Sequence, residues 1–205
     1  YSRGEIHQTG GVMLFEGHGT SKVIDTVNPA PQFIILGASY NNEPNNNGTG
    51  IVEVTGGASL TVTGTAGDGS SDGFGIGIQD NATVRTTSSG NVTLVGTGST
   101  GGVSGLNATG ILVNTGSVVT STGSGNLLLR GIGGSGAFDS FGIQIGQGAT
   151  VATISSTSSG TITLQGKSGT GGNSVGISLE TSGSTITGWS PGLTRPSFSR
   201  AATST

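Results

Sequence analysis

The sequence predicts an all-β fold, a parallel β-helix with about three short strands in each coil and a coil period of roughly 33–35 residues. Three observations carry this expectation. The first is composition. Gly supplies 42 of the 205 residues, charged residues are only 8% and aromatics 4%. An ordinary globular chain carries about 25% charged residues. Such bias also marks disorder, but disordered chains combine high net charge with few β-branched residues. Here the net charge is −3, and Val, Ile and Thr recur in short runs between glycine turns, which is a strand pattern.

The second observation is a repeat. GFGIGIQDNATV begins at Gly73, and related stretches follow at Gly110, Gly142 and Gly176. Aligned on Gly-Ile, with Gly50 as the first copy, the anchors Gly50, Gly75, Gly110, Gly142 and Gly176 lie 25, 35, 32 and 34 residues apart. A second anchor closes the runs SLTVTG, NVTLVG, NLLLRG and TITLQG, at Gly64, Gly96, Gly131 and Gly166, with spacings of 32, 35 and 35. Periods of this size signal a solenoid, in which no single unit buries its own apolar face.

The third observation is alternation. In the first strand of a coil, Ile76 and Ile78 alternate with Gly77 and Gln79, the period of a strand. A short second strand is expected at Ala82–Val84, Ser117–Val119 and Ala149–Val151. After a polar turn such as TTSSG comes a third strand, with Val92 and Leu94 inward, then Leu127 and Leu129, then Ile162 and Leu164. Stacking should therefore build one ladder from Leu94, Leu129 and Leu164, and another from Ile78, Val113, Ile145 and Leu179. The turn glycines are expected to supply backbone with φ > 0.

The corner before each Gly-Ile strand has its own signature. Three residues ahead of the anchor stands Asn47, Asp72, Asn107, Asp139 or Asn173. Asn and Asp satisfy their own backbone in turns, so these five are expected to form a structural turn ladder. Phe74 and Phe141, just before two of the anchors, are expected to cover the corner of the core. Residues 50–187 are the regular repeats. Residues 1–49 hold a weaker coil or coils, with GVMLFEG from Gly11 and FIILG ending at Gly37. Residues 188–205 form an irregular tail or cap, interrupted by Pro191 and Pro196.

Several function classes have little support in these residues. There is no Cys, hence no disulfide framework or thiolate metal site. Seven scattered cations and a pI near 5.1 give no electrostatic footprint for nucleic acid. No apolar run approaches the roughly 18 residues of a membrane span. YSRGEIHQTG has no apolar signal core, so the chain is read as a fragment or mature piece of a larger protein.

Candidate chemistry was weighed against simpler roles. Asp72 and Asp139 fall on one edge with Asn107 between them, but calcium needs about six to eight oxygens, and turn-making accounts for all three. Between residues 54 and 190 the acids are Asp68, Asp72, Asp80, Asp139 and Glu180, with no opposed pair of the kind glycoside cleavage uses. His7 and His18 lack metal-ligand spacing. The outward positions of the third strand read Thr61 and Thr63, Thr93 and Val95, Leu128 and Arg130, Thr163 and Gln165. A threonine array of the ice-binding kind breaks at the third of these. The Asn-x-Thr triplets at Asn47, Asn81, Asn91 and Asn107 match what chance gives in an Asn/Thr-rich chain. No catalytic residue, cofactor or metal is assigned.

GIQIGQGATV, with SSTSSGTITLQGKSGTGGNSVGI after it, resembles the repeats of large bacterial haemagglutinin-like adhesins, of the filamentous-haemagglutinin and autotransporter-passenger type. The resemblance covers residues 50 to about 187. It implies a right-handed parallel β-helix, Gram-negative-type export to the cell surface, and adhesion or fibre building. The partners implied are neighbouring coils of a longer chain and host or surface glycans or proteins. The expected function is therefore a non-enzymatic stalk or adhesin scaffold. A carbohydrate-active β-helix enzyme is the alternative, and an ice-binding solenoid a lesser one.

Overall fold

Residues 5–8, 12–18, 34–37, 51–67, 73–79, 81–100, 107–136, 138–147, 149 and 151–188 are described by the computed structural model. For the first fifty residues only the strands are described. The chain winds through three sheets in turn, and every pairing between the sixteen described strands is parallel. Coil 1 is β1 (Glu5–Gln8), β2 (Val12–His18) and β3 (Ile34–Gly37). Coil 2 is β4 (Ile51–Val54), β5 (Ser59–Thr65) and β6 (Ile76–Gln79). Coil 3 is β7 (Thr83–Thr86), β8 (Val92–Thr97) and β9 (Ile111–Val113). Coil 4 is β10 (Val118–Ser121), β11 (Leu127–Ile132) and β12 (Ile143–Ile145). Coil 5 is β13 (Thr153–Ser156), β14 (Ile162–Lys167) and β15 (Ile177–Leu179), and β16 (Thr185–Thr187) follows.

The first strands of the coils, with β16, make a six-stranded sheet A. The second strands make sheet B and the third make sheet C, with five strands each. The architecture is the expected parallel β-helix. Each coil adds about 4.8 Å to the stack.

The core is the column inside the three sheets. Alternation sends every second side chain inward, and the register places like on like. Val62, Leu94, Leu129 and Leu164 face one another from coil to coil in sheet B. Ile78, Val113, Ile145 and Leu179 do the same in sheet C. Both ladders follow the expected register. A third runs Val52, Val84, Val119, Ile154 and Ile186 through sheet A. Leu94, Leu129, Ile78, Val113 and Ile145 are fully buried, while Ile162, Leu164 and Ile186 of the last strands are partly buried against this cluster. Each buried Leu or Ile contributes about 1.5–3 kcal/mol.

Polar groups inside the turns are satisfied locally. Ser121 Oγ donates to the Gly125 carbonyl at 2.6 Å, and Ser156 Oγ to the Gly160 carbonyl at 2.7 Å. Thr86 Oγ1 does the same toward Gly90 at 2.8 Å. This repeated bond turns the chain from sheet A into sheet B at the recurring Ser-Gly segments.

Two sequence expectations are corrected by the register. Ile51 pairs with Thr83 in sheet A, so Gly50 does not start a Gly-Ile strand of sheet C. The partner of Ile76 is Ile34, which explains why the spacing of 25 stood apart from the others. The sheet A strand of coil 5 is Thr153–Ser156, not Ala149–Val151. Ile154 takes the inward place beside Val119, and Val151 is 44% exposed. The segment before β13 is longer than in coil 4, and the tripeptide Ala152-Thr153-Ile154 supplies the inward residue that Ala149-Thr150-Val151 imitates.

Turn glycines supply positive φ as expected, and the anchor glycines have a separate reason. Among the described residues, Gly56, Gly57, Gly116, Gly146 and Gly183 have positive φ. The anchor glycines are absent from that set and serve close approach instead. A Cβ on Gly131 would run into the Gly142 carbonyl, and one on Gly96 into the Gly110 carbonyl. The end of each sheet B strand thus crosses the start of the next sheet C strand at backbone distance, and only glycine fits.

Candidate functional site

The expected turn ladder is only partly within view. Asn47 and Asp72 lie outside the described residues. Asn107 and Asp139 do meet, as a parallel bridge between coils 3 and 4. Their carbonyls accept from the coil before, Asn107 from Gly73 N at 2.8 Å and Asp139 from Ala108 N at 3.2 Å. Asn107 is buried, Asp139 half-buried and Asn173 exposed on a turn. Among the described residues, no group of three or more His, Asp or Glu is placed to hold a metal ion. Phe74 and Phe141 are buried as expected, but they pack outside the central column.

The described carboxylates are dispersed. Glu53 in sheet A accepts a hydrogen bond from Arg85 Nε on the next coil. Glu180, after β15, accepts from Gln144 Nε2 at 2.9 Å and from Ser178 Oγ at 3.2 Å. Asp139 precedes β12, whereas Gln144 lies within β12 and Glu180 follows β15. Asp68, Asp72 and Asp80 lie outside the described residues. Glu53, Asp139 and Glu180 are thus three separate positions with no shared cleft.

The three outer faces differ. On sheet A, Val118 and Thr120, Thr153 and Ser155, and Thr185 and Thr187 form two short rows along the stack. Ser155 Oγ donates to Thr120 Oγ1 at 2.8 Å, and the second row continues through Arg85 and Glu53 to the register position of His7. On sheet C the outward residues are covered. Leu112 and Gln144 are 1% exposed, although they alternate with the core residues Ile111, Val113, Ile143 and Ile145. Gln79 Nε2 and Gln144 Oε1 are buried there without a hydrogen-bond partner.

Sheet B presents an open face. Along its edge an asparagine ladder ties the coils together. Asn91 Oδ1 accepts from Asn126 N at 2.9 Å, and Asn126 Oδ1 accepts from Thr161 N at 2.9 Å. The row Thr61, Thr93, Leu128 and Thr163 is interrupted at Leu128, and the row Thr63, Val95, Arg130 and Gln165 holds one Thr. At the far end of this face lies a shallow groove of about 160 Å³, lined by Arg130, Gly131, Ile132, Gln165, Gly166 and Lys167. Arg130 stands opposite Gln165, and Ile132 opposite Lys167. Arg130, Gln165 and Lys167 are exposed. Sequence reading placed Arg130 on the outward face of its strand and left Lys167 among the seven scattered cations. The signal that joins them is strand parity combined with the 35-residue register between Leu129 and Leu164.

Comparison with known protein families, with characterised proteins and with solved structures finds no match. The described residues contain no helix long and apolar enough to cross a membrane.

Proposed function

We propose that this chain is a non-enzymatic scaffold, a β-helical stalk or adhesin segment of an exported surface protein. One observation carries the reading: the core is built to continue. Five apolar ladders run along the stack and end on Ile162, Leu164, Ile177, Leu179 and Ile186. Ile177 is 41% and Leu179 49% exposed, at positions where their equivalents one coil earlier are fully buried. Among the described strands, β14, β15 and β16 are the last of their sheets, with one edge unpaired. An uncovered rung beside unpaired strand edges is a template for another coil. Neighbouring coils of a longer chain are the partner that matches both features. The resemblance of the repeats to haemagglutinin-like adhesins supports export and a surface role.

Light scattering across a concentration series tests this. The chain should associate as concentration rises. Ile177→Lys combined with Leu179→Lys should suppress the association, while circular dichroism keeps its strand signal because both side chains are already exposed. A concentration-independent monomer would overturn the reading.

A further inference from the structure

We propose that the groove between Arg130 and Lys167 binds a carboxylate carried on a sugar, making this stretch of sheet B a binding site for acidic glycans. Charge is the first support. Arg85 has Glu53 as its acid partner. Among the described residues neither Arg130 nor Lys167 has one. The outer positions of β5, β8, β11 and β14 carry Ser, Thr, Val, Leu, Ile, Gln, Arg and Lys, and no carboxylate. Glu16 is in register with Thr63, three strands from Arg130. Two unpaired cations thus face solvent together in a protein whose net charge is −3.

Geometry is the second support. Arg130 and Lys167 sit on diagonal positions of adjacent coils, with Cα atoms about 8 Å apart from the strand spacing and rise. Both long side chains can converge on one anion over Gly131 and Gly166. The guanidinium offers a planar pair of N–H donors that fits a carboxylate, and the ammonium adds a point charge. Gln165, next to Lys167's row, contributes an amide that can both donate and accept. Beyond the groove lining, Thr97 is the partner of Ile132 on β8 and Thr163 stands two residues before Gln165 on β14, so hydroxyls lie on the same face nearby, which suits a sugar ring better than an apolar acid. The groove is well below the roughly 300–1,000 Å³ of an enclosed ligand pocket, so it grips one residue of a chain that continues over the open face. The parallel sheet beneath holds these positions fixed, so little ordering opposes binding. The site does not rest on the stalk reading, since a self-contained monomer would carry it equally.

Calorimetric titration of the full chain, at concentrations where scattering shows a monomer, tests the assignment. The probes are an oligogalacturonate, a neutral galactan oligomer of similar length, and phosphatidylserine vesicles. The oligogalacturonate should bind, and affinity should fall as salt rises, because exposed charges are screened. The galactan and the vesicles should not bind. Arg130→Ala and Lys167→Ala should each weaken binding about ten- to a hundredfold, the scale of a lost charged hydrogen bond. Arg130→Lys, which keeps the charge and loses the fork, should fall between Arg130→Ala and the parent. Arg85→Ala, on another sheet, should change nothing. Equal binding of the neutral oligomer, vesicle binding, absence of oligogalacturonate binding, or indifference to both substitutions would each overturn the proposal.

Discussion

Replacing Leu129 by Ala should cost about 3–4 kcal/mol of stability. Leu129 is fully buried in the middle of its ladder, with Leu94 on one side and Leu164 on the other. Truncation removes the transfer free energy of three carbons and leaves a cavity between two coils. Leu→Ala changes at such sites cost about 2.7–5 kcal/mol, and the higher values belong to sites that cannot collapse. Here the backbone above and below is fixed by two parallel ladders of hydrogen bonds, so collapse is restricted. The control is Leu164→Ala, one coil later on the same ladder. Leu164 is only partly buried, and its loss should cost about half as much or less. Urea unfolding followed by far-ultraviolet circular dichroism measures both. A loss below about 1 kcal/mol at Leu129, or equal losses at the two positions, would refute the inward ladder and its order.

Gly131→Ala should destabilise the chain by more than a helix or strand propensity change of about 1 kcal/mol, because its Cβ would run into the Gly142 carbonyl; thermal melting compares it with Gly172→Ala, where a Cβ meets nothing. Thr115 holds φ 52° in the turn after Asn114, an unfavourable conformation for a β-branched residue, so Thr115→Asn should raise stability by up to about 1 kcal/mol in the same melts. Chelator treatment should leave the melting temperature unchanged, and a large drop with EDTA would establish a cation site. Ser121→Ala should cost about 1–3 kcal/mol, since it leaves the buried Gly125 carbonyl without its 2.6 Å hydroxyl donor.

The repeat made the fold readable because a solenoid writes its core several times. Leu94, Leu129 and Leu164 could be aligned by eye, since parity and period agreed at every copy. Misreadings arose where two local patterns competed for one place. Ala149-Thr150-Val151 and Ala152-Thr153-Ile154 are nearly the same tripeptide, and only the register with Val119 chooses between them. Gly50-Ile51 imitates the Gly-Ile anchor, but the stretch from Leu36 to its partner Ile78 is 42 residues long, and no period reveals which part of it is loop. The role of the anchor glycines was invisible for another reason. Close backbone crossing and left-handed φ select the same residue, and only coordinates separate them. The groove escaped notice because Arg130 and Lys167 are far apart in sequence and stand on different registers of their strands. Their meeting needs both the pairing of Arg130 with Gln165 and that of Ile132 with Lys167.

The coil-to-coil register underlies the core, the open end and the groove alike, and paired cysteines test it directly. The parent chain has no Cys, so introduced pairs have no competitors. Thr93 and Leu128 are partners across β8 and β11 on the outer face of sheet B, within the roughly 4.4–6.8 Å between Cα atoms that a disulfide spans. Thr93→Cys with Leu128→Cys should form an intramolecular disulfide under mild oxidation, seen as a faster-migrating band on non-reducing gels. Thr93→Cys with Arg130→Cys, two residues out of register and about 8 Å apart, should stay reduced. Efficient crosslinking of the second pair with failure of the first would contradict the register, and with it the β-helix as built.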